Sequence, residues 1–505
     1  MILLYVVLVL VGFFAYVKWR HTYWQRKGVV NLPTDRFFGY FSSNVKENLS
    51  VGDLNKAAYN KLKLQNKTHA GLYRFTQPVY LPIDPSLIKR IMTKDFHYFM
   101  GRGTYHHRKD TLTMNLFNLE GEQWKYLRTK LTPTFTSGKM KMMFETLLEK
   151  TDGLQKAVAK FADNKESFTI KEVVARFTTD IIASCAFGIE CNSQEEPDNE
   201  FRKNGAAVFN INPWKRVIVS LFPRDFLATV GFKINGNKIS KFFIDVVKET
   251  IKSRETNEIF RKDFMHLLLQ LKNQEITSNG SSTLNGNKKK ELPVISEDDI
   301  IAQCFIFFLA GFETSSTTMT FALLSLAENP EIQDKLRREI QNVLDRNDGK
   351  MTYDAIMNMP YLDNVINETL RKYPPLPILP RKCSKNYRVP NTNVIIDKGT
   401  LVAIPVWGLQ MDPEYYPNPE VFDPDRFDEK NKASRPDFTF LPFGEGPRMC
   451  IGLRFGIMQT KVGLVSLLSN FKFSLNENTA TPIKMNPKSF ILAVDGEVWL
   501  DADKV

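Results

Sequence analysis

One cysteine near the C-terminus, Cys450, lies in a glycine-rich loop that could hold a thiolate against a planar cofactor. The loop spans residues 442–452 and reads Pro-Phe-Gly-Glu-Gly-Pro-Arg-Met-Cys-Ile-Gly. Because Gly446 and Gly452 carry no side chains, the backbone on either side of the cysteine can approach a bulky planar group closely. We therefore interpret Cys450 as a metal ligand. The alternative for a lone cysteine is a buried thiol that packs as a small hydrophobic group.

The neighbours of Cys450 favour the ligand interpretation. Apolar residues recur with helical spacing from Ile451 onward, which predicts that Cys450 lies at a helix N-terminus. At such a position the helix dipole and the free N–H groups favour an anionic sulfur. The guanidinium of Arg448 could bind a carboxylate of the cofactor, and the ring of Phe443 could shield the sulfur from water.

A second candidate site lies in the middle of a predicted apolar helix. Glu313 would be costly to bury there without a partner or water. The hydroxyl of Thr314 can donate to the carbonyl of Ala310 and bend the helix, and Gly311 loosens the same turn. Two interpretations stay open. The residues form a tolerated kink, or they form a groove for dioxygen and water in which Thr314 and Glu313 supply protons.

Two further pairs have helical spacing that places their side chains on one face. Glu368 and Arg371 are three residues apart and can form an ion pair, which by itself would be an ordinary surface pair. Trp124 and Arg128 are four residues apart, so the indole N–H and the guanidinium could both donate toward one carboxylate. Each pair is common when it is considered alone.

The composition limits the class of protein. The chain has 505 residues and a net charge of +12, but its basic residues are dispersed and the longest run is only residues 288–290. This distribution argues against nucleic-acid binding and leaves an anionic membrane face or an acidic protein partner. The five cysteines include no C-x-x-C pair, which argues against a disulfide framework, a zinc site and a covalently attached c-type haem.

The N-terminus predicts a membrane anchor. Residues 2–17 carry no charge, and Lys18, Arg20, Arg26 and Lys27 follow directly. Positive charge after the apolar segment places the rest of the chain in the cytosol. A cleaved signal peptide is the competing interpretation, but the basic segment before the apolar run and the small-residue cleavage site are both unclear.

The elements that must position these residues are mainly helical. Residues 71–75 and 78–82 predict strands of a small β region, and helical patterns dominate residues 120–375. Ser296 and Asp299 form a capping box that opens the long apolar helix. Further helices are predicted over 331–346 and 361–373, a solvated loop over 273–290, and a hairpin turn at residues 495–496. The expected fold class is mainly α with small β regions.

Together these residues resemble the cytochrome P450 monooxygenases over the whole chain after the anchor. The loop matches the family pattern F-x-x-G-x-R-x-C-x-G through Phe443, Gly446, Arg448, Cys450 and Gly452. The local sequences at residues 310–315, 371–376 and 446–452 are similar to those of the microsomal branch that handles foreign lipophilic compounds. They are most similar to those of insect members tied to insecticide and hormone metabolism. The Pro-Pro-Gly-Pro hinge that usually follows the anchor is replaced here by residues 31–34, Asn-Leu-Pro-Thr.

The resemblance assigns roles residue by residue. It implies haem b (iron protoporphyrin IX) as the cofactor, with Cys450 as the axial iron ligand. Thr314 matches the oxygen-activating threonine, and Glu313 is the adjacent acid. Arg426 matches the third member of the Glu368–Arg371 set. The residues that match binders of the haem propionates are Trp124, Arg128, Arg381 and Arg448, with Arg102 as a further candidate.

The implied reaction transfers one oxygen atom of O₂ to a lipophilic substrate and releases the other as water. The cysteine loop lacks the last glycine of a dinucleotide fingerprint, so the resemblance implies electrons from a separate NADPH-cytochrome P450 reductase, with cytochrome b5 as a second partner. Lys125, Lys130 and Arg454 could dock an acidic partner or could form a solvated basic face. Substrate contacts are expected within residues 99–117, 209–232, 305–314, 376–379 and 489–492.

The resemblance further implies an anchor over residues 1–19, a linker over 20–49, and a haem-thiolate domain over 50–505 on the cytosolic side of the endoplasmic reticulum membrane. One alternative function is a haem-thiolate isomerase or dehydratase that acts on peroxides without a reductase. A second is a haem sensor or carrier without turnover. The pairing of Thr314 with Glu313 argues against both, because neither needs a proton relay to oxygen.

Overall fold

Most of the regular structure is helical, as the sequence predicts. The structure is a computed structural model and describes residues 1–32, 48–209, 213–222, 224–281 and 295–505. The helices are α1 (Ile2–Arg20), α2 (Tyr23–Arg26), α3 (Val51–Leu64), α4 (Pro85–Met92), α5 (Gly121–Leu131), α6 (Ser137–Glu149), α7 (Thr151–Asn164), α8 (Ile170–Ile182), α9 (Glu200–Phe209), α10 (Pro213–Leu221), α11 (Arg224–Thr229), α12 (Asn237–Thr256), α13 (Phe264–Ser281), α14 (Glu297–Glu328), α15 (Pro330–Asp345), α16 (Tyr353–Met357), α17 (Pro360–Lys372), α18 (Val406–Gln410), α19 (Glu429–Ala433) and α20 (Leu453–Leu468).

The strands are short and, among the described residues, form three small sheets. They are β1 (His69–Arg74), β2 (Gln77–Pro82), β3 (Phe168–Thr169), β4 (Leu379–Lys382), β5 (Tyr387–Arg388), β6 (Ile395–Ile396), β7 (Leu401–Ile404), β8 (Phe471–Leu475) and β9 (Trp499–Lys504). The predicted fold class, mainly α with small β regions, is therefore confirmed.

The chain divides into two compact units. Unit 1 comprises Met1–Gly103, Asn367–Cys450 and Pro482–Gly496, and unit 2 comprises Thr104–Ile366, Ile451–Thr481 and Glu497–Val505. Each unit is assembled from segments that are distant in sequence, so neither could be recognised as a continuous domain from composition alone.

Unit 1 contains the four-stranded sheet, in the order β1-β2-β7-β4. Strands β1 and β2 pair antiparallel and confirm the two strands predicted near residues 71–75 and 78–82. Strand β7 then pairs parallel to β2 and antiparallel to β4, which places Arg381 opposite Val402. Buried apolar residues from α3, α4, the sheet and the segments that follow it form one core beneath these strands.

The apolar helix α1 begins unit 1. Its window Leu3–Arg20 has a mean hydropathy of 1.7 and only 6% of it is buried, so it is long and apolar enough to cross a membrane. Helix α14 also passes this test of length and composition, but 61% of it is buried. Burial identifies α14 as a core helix of unit 2, whereas α1 presents its apolar side chains outward.

The segment that follows α1 is folded onto the sheet. Trp24 is fully buried, its indole N–H donates to the carbonyl of Leu72 at 2.8 Å, and its ring lies so close to Gly71 that a Cβ there would be 2.1 Å away. Lys27 forms an ion pair with Asp397 at 2.7 Å. The described part of the predicted linker, residues 20–32, is thus integrated into unit 1. Residues 33–47 lie outside the described residues.

Unit 2 is organised around α14, which packs against α8 and α20. The predicted capping box is confirmed, since the Ser296 hydroxyl accepts from the Asp299 amide and the Asp299 carboxylate accepts from the Ser296 amide. Gly311 allows α8 to approach closely, because a Cβ at this position would lie 2.7 Å from Ile182. The chain stays helical through residues 310–314.

Two local predictions were wrong in detail. The predicted loop over residues 273–290 begins late, because α13 continues to Ser281. Extension of an existing helix adds a hydrogen bond per residue and overrides the weak preference of polar residues for loops. Residues 282–290 lie outside the described residues. The predicted hairpin turn at Asp495–Gly496 instead follows an isolated bridge between Met485 and Val494, while β8 pairs with β9.

Candidate functional site

The cysteine loop of unit 1 is closed by its own backbone. The amide of Cys450 donates to the carbonyl of Phe443 at 2.9 Å, and the amide of Met449 donates to the carbonyl of Gly446 at 3.0 Å. Helix α20 begins at Leu453 with Gly452 at its cap, so Cys450 lies two residues before the cap. The sequence predicts Cys450 at a helix N-terminus, and the structure places it close to that position but before the helix cap.

Exposure separates Cys450 from the other four cysteines. Cys450 is exposed, whereas the remaining four are buried and none of the five forms a disulfide. Burial raises the pKa of Cys191 to about 12 and that of Cys383 to about 11. Burial likewise raises the pKa values of Cys185 and Cys304. Burial therefore opposes formation of a thiolate ligand at these four positions.

The loop is seated on the end of α4 through Gly446. This glycine has a φ of +71°, and a Cβ on it would lie 2.0 Å from the carbonyl oxygen of Met92. The close approach at Gly446 is thus to the chain itself, and the predicted approach of this glycine to a planar group stays a prediction. At Gly452 an added Cβ meets no atom of the described chain within 4 Å, so a close approach there stays a prediction.

Arg448 is buried and held by the segment after α4. Its Nε donates to the carbonyl of Met100 at 2.9 Å, and the guanidinium of Arg102 donates to the Arg448 carbonyl at 3.4 Å. The predicted propionate candidates Arg448 and Arg102 therefore lie together in unit 1. The ring of Phe443 is half-buried in the same loop.

Arg381 is a buried cation on β4. Its side chain is 1% exposed, and one guanidinium nitrogen donates to the carbonyl of Pro380 at 2.9 Å. The Nε atom has no hydrogen-bond partner within the part of the chain that the structure describes. Burial lowers the pKa of Arg381 to about 10, and no carboxylate among the described residues opposes this shift. A buried guanidinium with an unused donor fits a cofactor that brings its own carboxylates.

The Glu368–Arg371 pair is fully buried, which excludes the alternative of a surface pair. Two nitrogens of Arg371 donate to the two carboxylate oxygens of Glu368 at 2.7 and 2.8 Å. The Asp423 amide donates to the same carboxylate at 2.9 Å, and Arg426 lies 3.5 Å from it. The guanidinium of Arg371 also donates to the carbonyls of Gln410 and Pro419 at 3.0 and 2.8 Å. The three residues predicted from the resemblance thus form one cluster in unit 1.

Helix α14 of unit 2 carries Glu313 and Thr314. The Thr314 hydroxyl donates to the carbonyl of Ala310 at 2.7 Å, which confirms the predicted hydrogen bond. Both side chains are half-buried, and Ala310 is exposed although most of the helix is buried. The middle of α14 therefore has an accessible side.

Lys171 on α8 is the partner that Glu313 requires, and the sequence did not identify it. Its ammonium group donates to the Glu313 carboxylate at 2.8 Å and to the hydroxyls of Ser316 and Thr317 at 2.9 Å each. Burial lowers the pKa of Lys171, and the Glu313 charge opposes this shift. A buried acid predicts a cation nearby, but nothing in the sequence indicates one 142 residues away.

The remaining predicted cofactor residues, Trp124 and Arg128, lie on α5 of unit 2. Trp124 is 4% exposed and Arg128 is half-buried, and both are in the helical register that the sequence predicts. The roles of all the predicted site residues stay predictions at this point.

Part of the predicted substrate-contact region on α14 serves as core. Phe308 packs edge-to-face against Phe187 and Phe201, with ring centroids 5.8 and 5.7 Å apart, and Phe305 packs against Phe243 at 5.1 Å. These aromatic contacts join α14 to α9 and α12 within unit 2. The regular apolar spacing of this helix thus reflects helix packing at several positions.

Replacement of Gly446 by Ala should destabilise the cysteine loop. The added Cβ collides with the Met92 carbonyl and forces alanine into a left-handed conformation, which together should cost about 3 kcal/mol or more. We expect a lower unfolding temperature and a low cofactor content in the purified full-length protein.

The matched control is Gly452→Ala in the same loop, where an added Cβ meets no described atom of the chain. Its unfolding temperature without cofactor should match that of the unchanged protein. Equal losses of stability in the two variants would contradict the proposed seating of the loop on Met92.

Comparison with known proteins agrees with this geometry. The family model described as Cytochrome P450 matches residues 45–498. "Probable cytochrome P450 6a13" of Drosophila melanogaster is 41% identical, with 99% of this chain and 98% of that protein covered. "Cytochrome P450 6k1" of Blattella germanica is 41% identical over 97% of this chain and 94% of that protein. "Cytochrome P450 6A1" of Musca domestica is 38% identical over 100% of this chain and 98% of that protein. The resemblance to insect members is confirmed, and the chain belongs to the cytochrome P450 family of haem b monooxygenases.

Proposed function

We propose that the chain inserts one atom of O₂ into lipophilic xenobiotics, such as insecticides and plant toxins, or into hormones, with Cys450 as the axial ligand of haem iron. The observation that carries the proposal is the exposure of this one thiol in a closed glycine-rich loop while the other four are buried. When bound, haem supplies the activation of O₂, which a thiolate ligand favours. The chain must bind the cofactor, exclude water, orient the substrate and deliver protons.

The proposed cofactor-binding residues are basic or aromatic. Arg381 contributes a buried cation with an unused donor, and Arg448 contributes a guanidinium whose position is fixed by the Met100 carbonyl. Trp124 and Arg128 contribute donors on one face of α5. Two propionates would neutralise buried positive charge at Arg381, which the described part of the chain leaves without a carboxylate.

We propose that Glu313 and Thr314 deliver protons on the accessible side of α14. The ion pair with Lys171 holds the Glu313 carboxylate in place, while the Thr314 hydroxyl is oriented by the Ala310 carbonyl. Because the carboxylate is half-buried, its exchange of protons with water would run through this polar cluster. The proton-handling cluster favours a monooxygenase over a peroxide isomerase or dehydratase, which needs no such relay.

Electrons are proposed to come from an NADPH-cytochrome P450 reductase, with cytochrome b5 as a second donor. Family membership implies a redox partner, and the two named partners are the specific proposal. Lys125 and Arg454 are exposed and Lys130 is half-buried, so these basic groups are accessible to an acidic protein surface.

The membrane is the proposed source of substrate. Helices α10 and α11, together with the residue that follows α10, expose large apolar side chains, namely Trp214, Leu221, Phe222 and Phe226, which are 46–69% exposed. Such a cluster is suited to insertion into lipid. We propose an anchor over residues 1–19 in the endoplasmic reticulum membrane, a linker over 20–49, and a haem-thiolate domain over 50–505 that faces the cytosol.

Carbon monoxide binding to the reduced full-length enzyme tests the thiolate ligand. The unchanged protein should show a Soret band strongly shifted to the red. Cys450→Ser should lose this band, whereas Cys383→Ser, which alters a buried thiol, should keep it. A red-shifted band that persists in Cys450→Ser would refute the assignment.

Replacement of Lys171 by Met tests the proton-delivery cluster. Loss of the cation leaves the Glu313 carboxylate without its partner, so we expect turnover to fall at least about tenfold while NADPH oxidation is diverted to hydrogen peroxide. Product formation and peroxide release should be measured together.

Ser316→Ala is the matched control, since it removes one hydrogen bond of Lys171 and keeps the ion pair. The double variant Lys171→Met with Glu313→Gln should turn over no more slowly than Glu313→Gln alone, because both changes disrupt the same ion pair. Fully additive losses of turnover would show that Lys171 and Glu313 act separately.

Charge reversal of Lys125 and Lys130 to Glu tests reductase docking. The concentration of reductase that gives half-maximal turnover should rise about fivefold at low salt, and the difference should shrink as ionic strength increases. Lys248→Glu with Lys252→Glu, on the exposed face of α12, makes the same change in net charge elsewhere. An identical response of the two double variants, or a response insensitive to salt, argues against this docking face.

A further inference from the structure

The segment over residues 92–102, called here the brace segment, contacts the cysteine loop at three points within unit 1. The Met92 carbonyl lies against Gly446, and the Met100 carbonyl accepts from Nε of Arg448 at 2.9 Å. Arg102 donates back to the Arg448 carbonyl at 3.4 Å. The orientation of the Arg448 guanidinium therefore depends on where this segment runs.

The brace segment is also bound to the end of β4, the strand that carries Arg381. The Lys382 amide donates to the carbonyl of Gly101 at 2.8 Å, and the Ser384 amide donates to the carbonyl of Tyr98 at 2.7 Å. One stretch of backbone thus contacts the strand of one proposed propionate residue and the side chain of another.

One buried carboxylate fixes the course of the brace segment. Asp95 is 8% exposed, and its Oδ2 accepts from the hydroxyl of Tyr387 on β5 at 2.8 Å and from Nε of Arg90 on α4 at 3.0 Å. The ring of Tyr387 packs edge-to-face on Phe99, with centroids 4.8 Å apart. The two contacts of Tyr387 hold the segment against β5, and the contact of Asp95 with Arg90 joins it to α4.

The two donors to Asp95 differ in their surroundings. The Arg90 side chain is 41% exposed, so its ion pair with Asp95 is screened by solvent and contributes little. The hydrogen bond from Tyr387 is buried, and burial together with the Asp95 charge raises the pKa of the Tyr387 hydroxyl, which keeps it protonated as a donor. Tyr387 is therefore the partner that holds Asp95 in place.

We propose that Asp95 and Tyr387 are positioning residues for the haem-thiolate centre. Their hydrogen bond fixes the course of the brace segment, and the brace segment in turn fixes the orientation of the Arg448 guanidinium and the position of the cysteine loop. This inference rests on the proposed role of Cys450 and Arg448. Without the Tyr387 hydroxyl, Asp95 loses its buried donor and the segment can shift, and the Met100 carbonyl moves with it. A displacement of about 1 Å is enough to affect a preorganised site strongly.

The test is Tyr387→Phe in the full-length holoenzyme. The variant should release haem on dilution about tenfold faster. The reason is that the loss of a charge-assisted hydrogen bond leaves a buried acceptor without its donor, and this cost corresponds to about a factor of ten in an equilibrium constant. On reduction under carbon monoxide, a larger fraction should lack the red-shifted Soret band. Amide hydrogen exchange should accelerate in residues 442–452 and stay unchanged in β8, which a uniform loss of stability would not produce.

Two controls isolate the hydrogen bond. Tyr98→Phe removes a hydroxyl from the ring beside Tyr387, and that hydroxyl makes no hydrogen bond to the described part of the chain. Ile340→Val shortens a buried side chain on α15 in unit 2 and lowers stability by a comparable amount. Both controls should keep the haem release rate and carbon monoxide spectrum of the unchanged protein.

The outcomes separate the inference from the proposed function. If the unchanged protein lacks the red-shifted band, the proposed thiolate ligand fails. If that band is present and Tyr387→Phe behaves like Tyr98→Phe, the positioning role is overturned. It is also overturned if Ile340→Val releases haem as fast as Tyr387→Phe, because the effect is then one of general stability.

Discussion

The interaction on which unit 1 depends most is the ion pair between the fully buried carboxylate of Glu368 and the guanidinium of Arg371. Removal of this charge from water is costly, and it is compensated by two bonds from Arg371, one from the Asp423 amide and the nearby charge of Arg426. Arg371 in turn binds backbone carbonyls of residues 410 and 419. The end of α17 and the chain over residues 410–426 are thereby fixed to each other, and the cysteine loop lies further along the same chain, at residues 442–452.

Buried charge is handled differently around the proposed cofactor residues. Glu368 and Arg371 pair with each other and find their remaining hydrogen-bond partners within unit 1. Arg381 is as deeply buried, but it has an unused donor and a pKa lowered to about 10. In the first arrangement, the partners that offset the cost of burying the charges belong to the chain itself. The second has a cost that a ligand with carboxylates would remove. This difference supports a structural role for Glu368 and Arg371 and a binding role for Arg381. All three are charged residues, so their types in the sequence do not distinguish these roles.

The sequence predicts the local features well because they depend on neighbouring residues. The capping box of α14, the Thr314 hydrogen bond and the cysteine loop all involve residues within eight positions of each other. The sequence does not predict Lys171 or the Asp95–Tyr387 pair, because contacts across 142 and 292 residues follow from tertiary packing. The apolar periodicity of α14 does not show which of its residues are buried. Phe308 lies in the core, whereas Ala310, two residues later, lies on an accessible side.

Glu313 and Asp95 show how one chemical problem has two solutions in this chain. Each is a carboxylate withdrawn from water and supported from a distant segment. Asp95 accepts from a tyrosine whose raised pKa keeps it neutral, so this hydrogen bond persists over the physiological pH range. Glu313 is paired with a lysine whose pKa burial lowers, and two hydroxyls share the same ammonium group. The neutral hydroxyl of Tyr387 is suited to a permanent structural contact with Asp95. Lys171, a cation with a lowered pKa and two hydroxyl neighbours, is suited to pair with a carboxylate that must exchange protons.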